Sequence, residues 1–167
     1  EPALYLSGVR VGDKIKWSPG AVIRAEQEGV GLSRGWFDIA ERAGVEIRYG
    51  TSAARLTQDR GGRVTGVTTQ STRGFEDLTA ATVVLGCGGF EANAAWRARY
   101  LGRPWDHAKV RGTRYNTGDG LRMALAIGAL PHGQWTGCHS TPIDADAPPH
   151  GDRKLTDKTN RLSYPYG

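Results

Sequence analysis

No apolar run in this 167-residue chain approaches the length needed to cross a bilayer as a helix. The opening EPALYLSGVRVGDK also lacks the basic-then-apolar order of a secretory signal, and the two absences together predict a cytoplasmic protein. Cysteine is scarce. Cys87 and Cys138 stand far apart, which excludes a disulfide framework and a CxxC metal signature, and both are expected to be small buried or semi-buried side chains in a reducing compartment. His107, His132, His139 and His150 form neither an HExxH nor an i, i+4 pair, so no metal site is expected. A GxSxG elbow and internal repeats at solenoid periods are likewise missing. The charge of +5 and pI near 9.5 are not gathered into a basic helix or an aromatic-basic repeat. Only a loose group at Arg153, Lys154, Lys158 and Arg161 stands out. The surface therefore suits solvation or small anions, and no nucleic-acid partner is expected.

Glycine is abundant. Twenty-four glycines without an every-third-residue period predict tight turns and close backbone approach to a ligand. With 38% apolar and 23% charged residues the chain is able to bury a core and is not a candidate for wholesale disorder.

The segment through Pro19 and Gly20 reads as loop with a short strand or two. Leu32, Trp36, Ile39, Ala40 and Ala43 then fall at helical spacing, with Gly44 at the C-terminal cap. VEIRYG alternates as a short strand, AARLTQD and RVTGVTTQ read as a hairpin around Arg60, Gly61 and Gly62, and FEDLTAA continues the strand character. Thr82 to Leu85 read as a buried strand running into Gly86, Gly88 and Gly89. EANAAWRARYL is helix-compatible, and GLRMALAIGA is a second clear helix with Leu121, Ala124, Leu125 and Gly128 on one face. From Pro131 onward the Pro, Asp and Gly content predicts an extended loop. The fold class is α/β with α+β character: helix, antiparallel meander, and a strand ending in glycines.

A glycine cluster at the carboxyl end of a strand is where open α/β sheets keep their ligands. The same cluster is also explained as a turn that clears a neighbouring helix. Its pairing with Thr117, Gly118, Asp119 and Gly120 at a helix start favours the ligand, because backbone N–H groups and one carboxylate there suit the polar chain of a nucleotide cofactor. Gly29, Gly31 and Gly35 have dinucleotide-like spacing but follow the polar AEQE instead of a buried strand, so they are not expected to form a diphosphate turn. His139, beside a tryptophan and hydroxyl residues, is a candidate donor to a substrate carboxylate. Arg111 and Arg114 carry the guanidinium fork that matches two carboxylate oxygens.

Three blocks in order, GVGLSRGWFDIAERAGVEIRYGTSAARLTQDRGGRVTGV, TVVLGCGGFEAN and NTGDGLRMALAIGA, resemble the middle of the FAD-dependent fumarate reductase and succinate dehydrogenase flavoprotein family. Within it, WFDIAERAGVEIRYGT, ARYLG, KVRGTRYNTGDG and WTGCHSTPID are similar to the tricarballylate-dehydrogenating members. The resemblance implies a partial FAD-binding domain over residues 1–130 and the loop-rich start of a substrate-capping domain over 131–167. Ala53 would present its backbone to the adenine end of FAD. Gly88 and Gly89 would line the diphosphate or flavin side, with Thr117, Gly118, Asp119 and Gly120 near the cofactor. His139 and Thr141 match a His-x-Thr that binds a substrate carboxylate, although Ser140 stands where proline is usual, and Arg114 is taken as a further substrate contact.

A complete enzyme of this kind would dehydrogenate a small tricarboxylate or dicarboxylate, converting tricarballylate to aconitate with hydride passing to flavin N5. The N-terminal GxGxxG segment and the proton-moving arginine of the cap have no counterpart here, and no catalytic residue is assigned. The chain alone is expected to be inactive and to bind FAD weakly or not at all. Strand edges left unpaired imply self-association. The alternatives are a fumarate reductase-like or 3-ketosteroid dehydrogenase-like flavoprotein, or a ligand-binding or interaction module without catalysis.

Overall fold

A computed structural model describes residues 2–5, 8–17, 22–140 and 142–151. They divide into two compact units, with the boundary between Tyr49 and Gly50.

In the first unit the expected strand or two become four. β1 (Pro2–Tyr5) pairs antiparallel with β4 (Val22–Ala25), and β2 (Gly8–Val11) pairs with β3 (Lys14–Trp17) across a turn at Gly12 and Asp13. Helix α1 (Glu28–Arg42) starts four residues before Leu32 and takes in Gly29, Gly31 and Gly35, so those glycines form no turn. Its C-terminus closes as a Schellman motif. Gly44 adopts φ +73°, its N–H donates to the Glu41 carbonyl at 3.0 Å, and the Val45 N–H donates to that of Ala40 at 3.0 Å. The strand expected at 45–50 does not form. The alternation of VEIRYG is present, but residues 45–48 have no ladder partner among the described residues, and Glu46 instead pairs locally with Arg48 at 2.7 Å.

The second unit is built on the expected meander: β5 (Ser52–Gln58), β6 (Val64–Ser71) and β7 (Gly74–Thr79), antiparallel in that order. The β5–β6 turn is set by Asp59, whose Oδ1 accepts from the N–H groups of Gly61 at 2.9 Å and Arg63 at 3.0 Å. β6 is the central strand and carries the buried residues. Thr68 and Thr69 are buried polar side chains that stay satisfied, Thr68 by donating to Asp77 Oδ1 and Thr69 by donating to the Glu76 carbonyl at 3.1 Å.

Helix α2 (Ala94–Leu101) is capped by Asn93, whose Oδ1 accepts from the Trp96 N–H at 3.1 Å. A 3-10 turn follows at Trp105–His107, and then helix α3 (Asp119–Ala126). On α3 the most deeply buried side chain is Met123, while Leu121, Ala124 and Leu125 are half-buried and Gly128 lies beyond the helix end. Arg122 ties α3 to the meander by donating to the Ala54 carbonyl at 3.1 Å. Residues 129–140 and 142–151 contain no helix or strand, and a parallel bridge between Val110 and His150 anchors the last of them.

Two further expectations fail. Residues 80–89 form no strand among the described residues, and Val84 is 87% exposed. The run TVVL has β character, but a strand exists only where a partner accepts its ladder, and pairing is a tertiary fact. Cys87 and Cys138 are both exposed, contrary to the buried or semi-buried expectation. Cys87 sits in that unpaired run, and Cys138 lines a cavity.

Candidate cofactor and substrate site

The two glycine segments singled out in the sequence lie against each other. The Gly118 N–H donates to the Gly89 carbonyl at 3.0 Å, and the Ala92 N–H donates to that of Asn116 at 2.9 Å. Gly88 and Gly118 take φ +72° and +85°, the left-handed region that glycine enters without strain. A side chain is strained at both by that φ, and at Gly118 it also has no room. A Cβ at Gly118 would stand 2.8 Å from the Trp96 ring, and one at Gly88 would stand 3.0 Å from the Asn116 amide. At Gly120 a Cβ would meet that of Cys87 at 3.0 Å, so α3 begins in close contact with the glycine run.

The N-terminus of α3 points its first N–H groups out of the helix, where no intrahelical acceptor exists. Gly118 caps it with no side-chain bond. Asp119 Oδ2 accepts from the Thr117 hydroxyl at 2.5 Å, Asp119 Oδ1 lies 3.4 Å from Arg122, and Asn93 Nδ2 donates to the Thr117 carbonyl at 3.0 Å. Through Arg122 and the Ala54 carbonyl this network reaches β5 beside Ala53. Gly88, Gly89, Thr117, Gly118, Asp119 and Gly120 therefore form one cluster, with Ala53 on the adjoining strand.

Beside the cluster opens a cavity of about 640 Å³, within the size range of small-molecule sites. Gly89 and His139 both line it, which joins the glycine cluster to the candidate substrate histidine. Its apolar wall includes Phe90, Trp105 and Trp135. Phe90 stacks on Trp135 with ring centroids 6.0 Å apart, and Trp135 packs on Tyr100 at 5.0 Å, so aromatic contacts fasten the 132–140 loop to α2. The Trp135 indole also donates to the His132 carbonyl at 3.0 Å.

Arg97 was not legible as a site residue. It is 7% exposed and lines the cavity, where its guanidinium donates to the carbonyls of Trp105 at 2.8 Å, Glu91 at 2.5 Å, and Asp106 and Ala108 at 3.0 Å each. This one side chain fixes the cavity wall from residue 91 to residue 108. Arg114 is exposed and does not line the cavity, whereas Arg111 does. Thr141 lies outside the described residues. Among the described residues no three His, Cys, Asp or Glu side chains are grouped as a metal site, and no helix is long and apolar enough to cross a membrane.

Residues 17–139 match the model of the FAD binding domain family. Over 77 residues the chain is 38% identical to 3-oxosteroid 1-dehydrogenase of Comamonas testosteroni, a stretch that is 46% of this chain and 13% of that protein. Its structure is similar to that of 3-ketosteroid delta1-dehydrogenase from Sterolibacterium denitrificans, with a TM-score of 0.58 and 33% identity over 62% of this chain and 19% of the other. It is also similar to a flavocytochrome c3 fumarate reductase, with a TM-score of 0.61 over 76% of this chain and 23% of the other. At 24% identity that second likeness shows the fold alone. The chain spans about an eighth of the curated relative and about a fifth of these solved structures. Taken with the paired glycine segments, the match over residues 17–139 shows that the chain belongs to the FAD binding domain family.

Proposed function

We propose that this chain contributes the glycine cradle and part of the substrate cavity to a cytoplasmic FAD-dependent dehydrogenase acting on a small carboxylated substrate. Tricarballylate, with aconitate as product, is the specific substrate favoured by the sequence blocks around Trp36, Arg111 and Trp135. The observation that carries the reading is the hydrogen bond from Gly118 to Gly89, which ties the start of α3 to a glycine of the cavity that His139 also lines.

The cradle suits FAD on geometric grounds. A Cβ at Gly86 would meet no atom within 4 Å, and one at Gly89 would meet only the end of the Glu91 side chain, so the backbone there is open to close approach. Gly88, Gly89 and the first N–H groups of α3 would hold the anionic diphosphate chain, and Thr117 and Asp119 would hydrogen-bond its polar groups. When bound, FAD supplies an acceptor for the two electrons of substrate oxidation. The chain's own part is to bind and orient: His139 donates to a substrate carboxylate, and the aromatic wall of Phe90, Trp105 and Trp135 keeps water from one face of the substrate.

A second reading, oxidation of a ketosteroid, has its own support in the 38% identity to 3-oxosteroid 1-dehydrogenase and in that same aromatic wall. The two are separated by adding tricarballylate or 1,4-androstadiene-3,17-dione to the chain in the presence of FAD and recording the flavin absorption band. A saturable change with tricarballylate supports the proposal. A change with the steroid alone selects the second reading, and no change with either contradicts both.

A further inference from the structure

Three long cationic side chains line the cavity, and two of them are already committed to the protein's own backbone. Arg97 commits four of its five N–H donors to the carbonyls described above. Lys109 directs its Nζ to the carbonyls of Ala145 and Ala147, clipping the 144–147 turn to the cavity rim. Arg111 differs. Its guanidinium has no hydrogen-bond or ion-pair partner among the described residues, and the residue belongs to the lining.

The backbone that carries Arg111 is held on both sides. Val110, one of the buried core residues, donates its N–H to the Pro149 carbonyl at 2.9 Å, and the Gly151 N–H donates to the Gly112 carbonyl at 2.9 Å. The fit is close enough that a Cβ on Gly151 would stand 2.1 Å from the Arg111 carbonyl oxygen. A guanidinium on a fixed stem, uncommitted, beside an apolar wall, is the arrangement that binds a carboxylate in two-pronged fashion. The one carboxylate on the lining, Glu91, accepts from the Asn116 amide at 2.5 Å, and set against Arg97, Lys109 and Arg111 it leaves the lining cationic.

We propose that Arg111, and not Arg114, binds a carboxylate of the substrate in this cavity and selects anionic substrates over neutral ring systems. This deepens the dehydrogenase reading and rests on it for the identity of the substrate. Arg114, three residues along, has the same chemistry but does not line the cavity.

The test is a tryptophan-fluorescence titration of the full chain with tricarballylate, since Trp105 and Trp135 line the cavity and report its occupancy. Arg111→Gln is expected to weaken binding roughly ten- to a hundredfold and Arg111→Lys by less, as a point charge replaces the fork. Arg73→Gln, on the exposed β6–β7 turn, is the control for a general loss of positive charge. Thermal unfolding of each variant separates a lost contact from a lost fold. Equal affinity in Arg111→Gln and the parent chain, a loss confined to Arg114→Gln, or no tricarballylate binding by the parent chain would each overturn the proposal. A parallel titration with FAD keeps the two readings apart. Arg111-dependent tricarballylate binding without any FAD binding refutes the dehydrogenase reading and leaves the carboxylate site standing. FAD binding with a silent Arg111 refutes only this inference.

Discussion

The Gly118 N–H donates to the Gly89 carbonyl at 3.0 Å, joining two glycine segments separated by helix α2 and the 3-10 turn. That bond places the start of α3 beside the glycine run, where the Gly118 backbone packs closely against the Trp96 ring.

Gly118→Ala should therefore destabilise the chain. The new methyl would meet the Trp96 ring at 2.8 Å and Phe90 Cβ at 3.1 Å on a residue with φ +85°. Backbone strain plus overpacking predicts a loss of about 1–3 kcal/mol, read as a lower midpoint in urea.

Arg97→Met should cost more. It leaves four carbonyls, those of Glu91, Trp105, Asp106 and Ala108, without their donor around a nearly buried position. A loss of about 3 kcal/mol is expected after partial rehydration. Hydrogen exchange should rise across residues 91–108, with the β5–β7 meander little changed.

Much of the architecture was legible because it is local. The spacing of Leu32, Trp36 and Ile39 with Gly44 marked α1 and its cap, and Arg60, Gly61 and Gly62 marked the β5–β6 turn that Asp59 closes. The gathering of Gly88, Gly89 and Thr117 to Gly120 followed from glycine and helix-start chemistry. What was illegible depends on distant partners. Val83 and Val84 carry β propensity but no ladder among the described residues, and VEIR alternates without forming a strand. Nothing in the sequence sets Arg97 apart from the other arginines, because its four acceptors are backbone carbonyls that any sequence would supply. Arg111 and Arg114 were equivalent in sequence, and the contacts of 110–112 with 149–151, which sequence does not reveal, give Arg111 its place on the cavity lining.

Both thiols should react in the folded protein, since Cys87 and Cys138 are free and exposed. A chromogenic disulfide reagent should titrate two equivalents without denaturant. Cys138 lines the cavity and Cys87 does not, so saturating tricarballylate should slow labelling of Cys138 alone, as read by peptide mass spectrometry.

The apolar run around Val84 should promote self-association, because it forms no strand among the described residues and presents an 87% exposed valine. Sedimentation should show a mass that rises with concentration, and Val84→Lys should shift the equilibrium towards monomer. A concentration-independent monomer would count against it.

The most direct measurement of the central claim is an equilibrium titration of FAD fluorescence with the full chain and with Gly89→Val. A Cβ at Gly89 meets only the Glu91 carboxylate within 4 Å, so the variant is expected to fill the cradle, and its unfolding midpoint is measured alongside. The account predicts weak, saturable FAD binding by the parent chain and at least a tenfold loss in Gly89→Val, about 1.4 kcal/mol. Equal binding by the two proteins, or no binding by the parent chain, would contradict it.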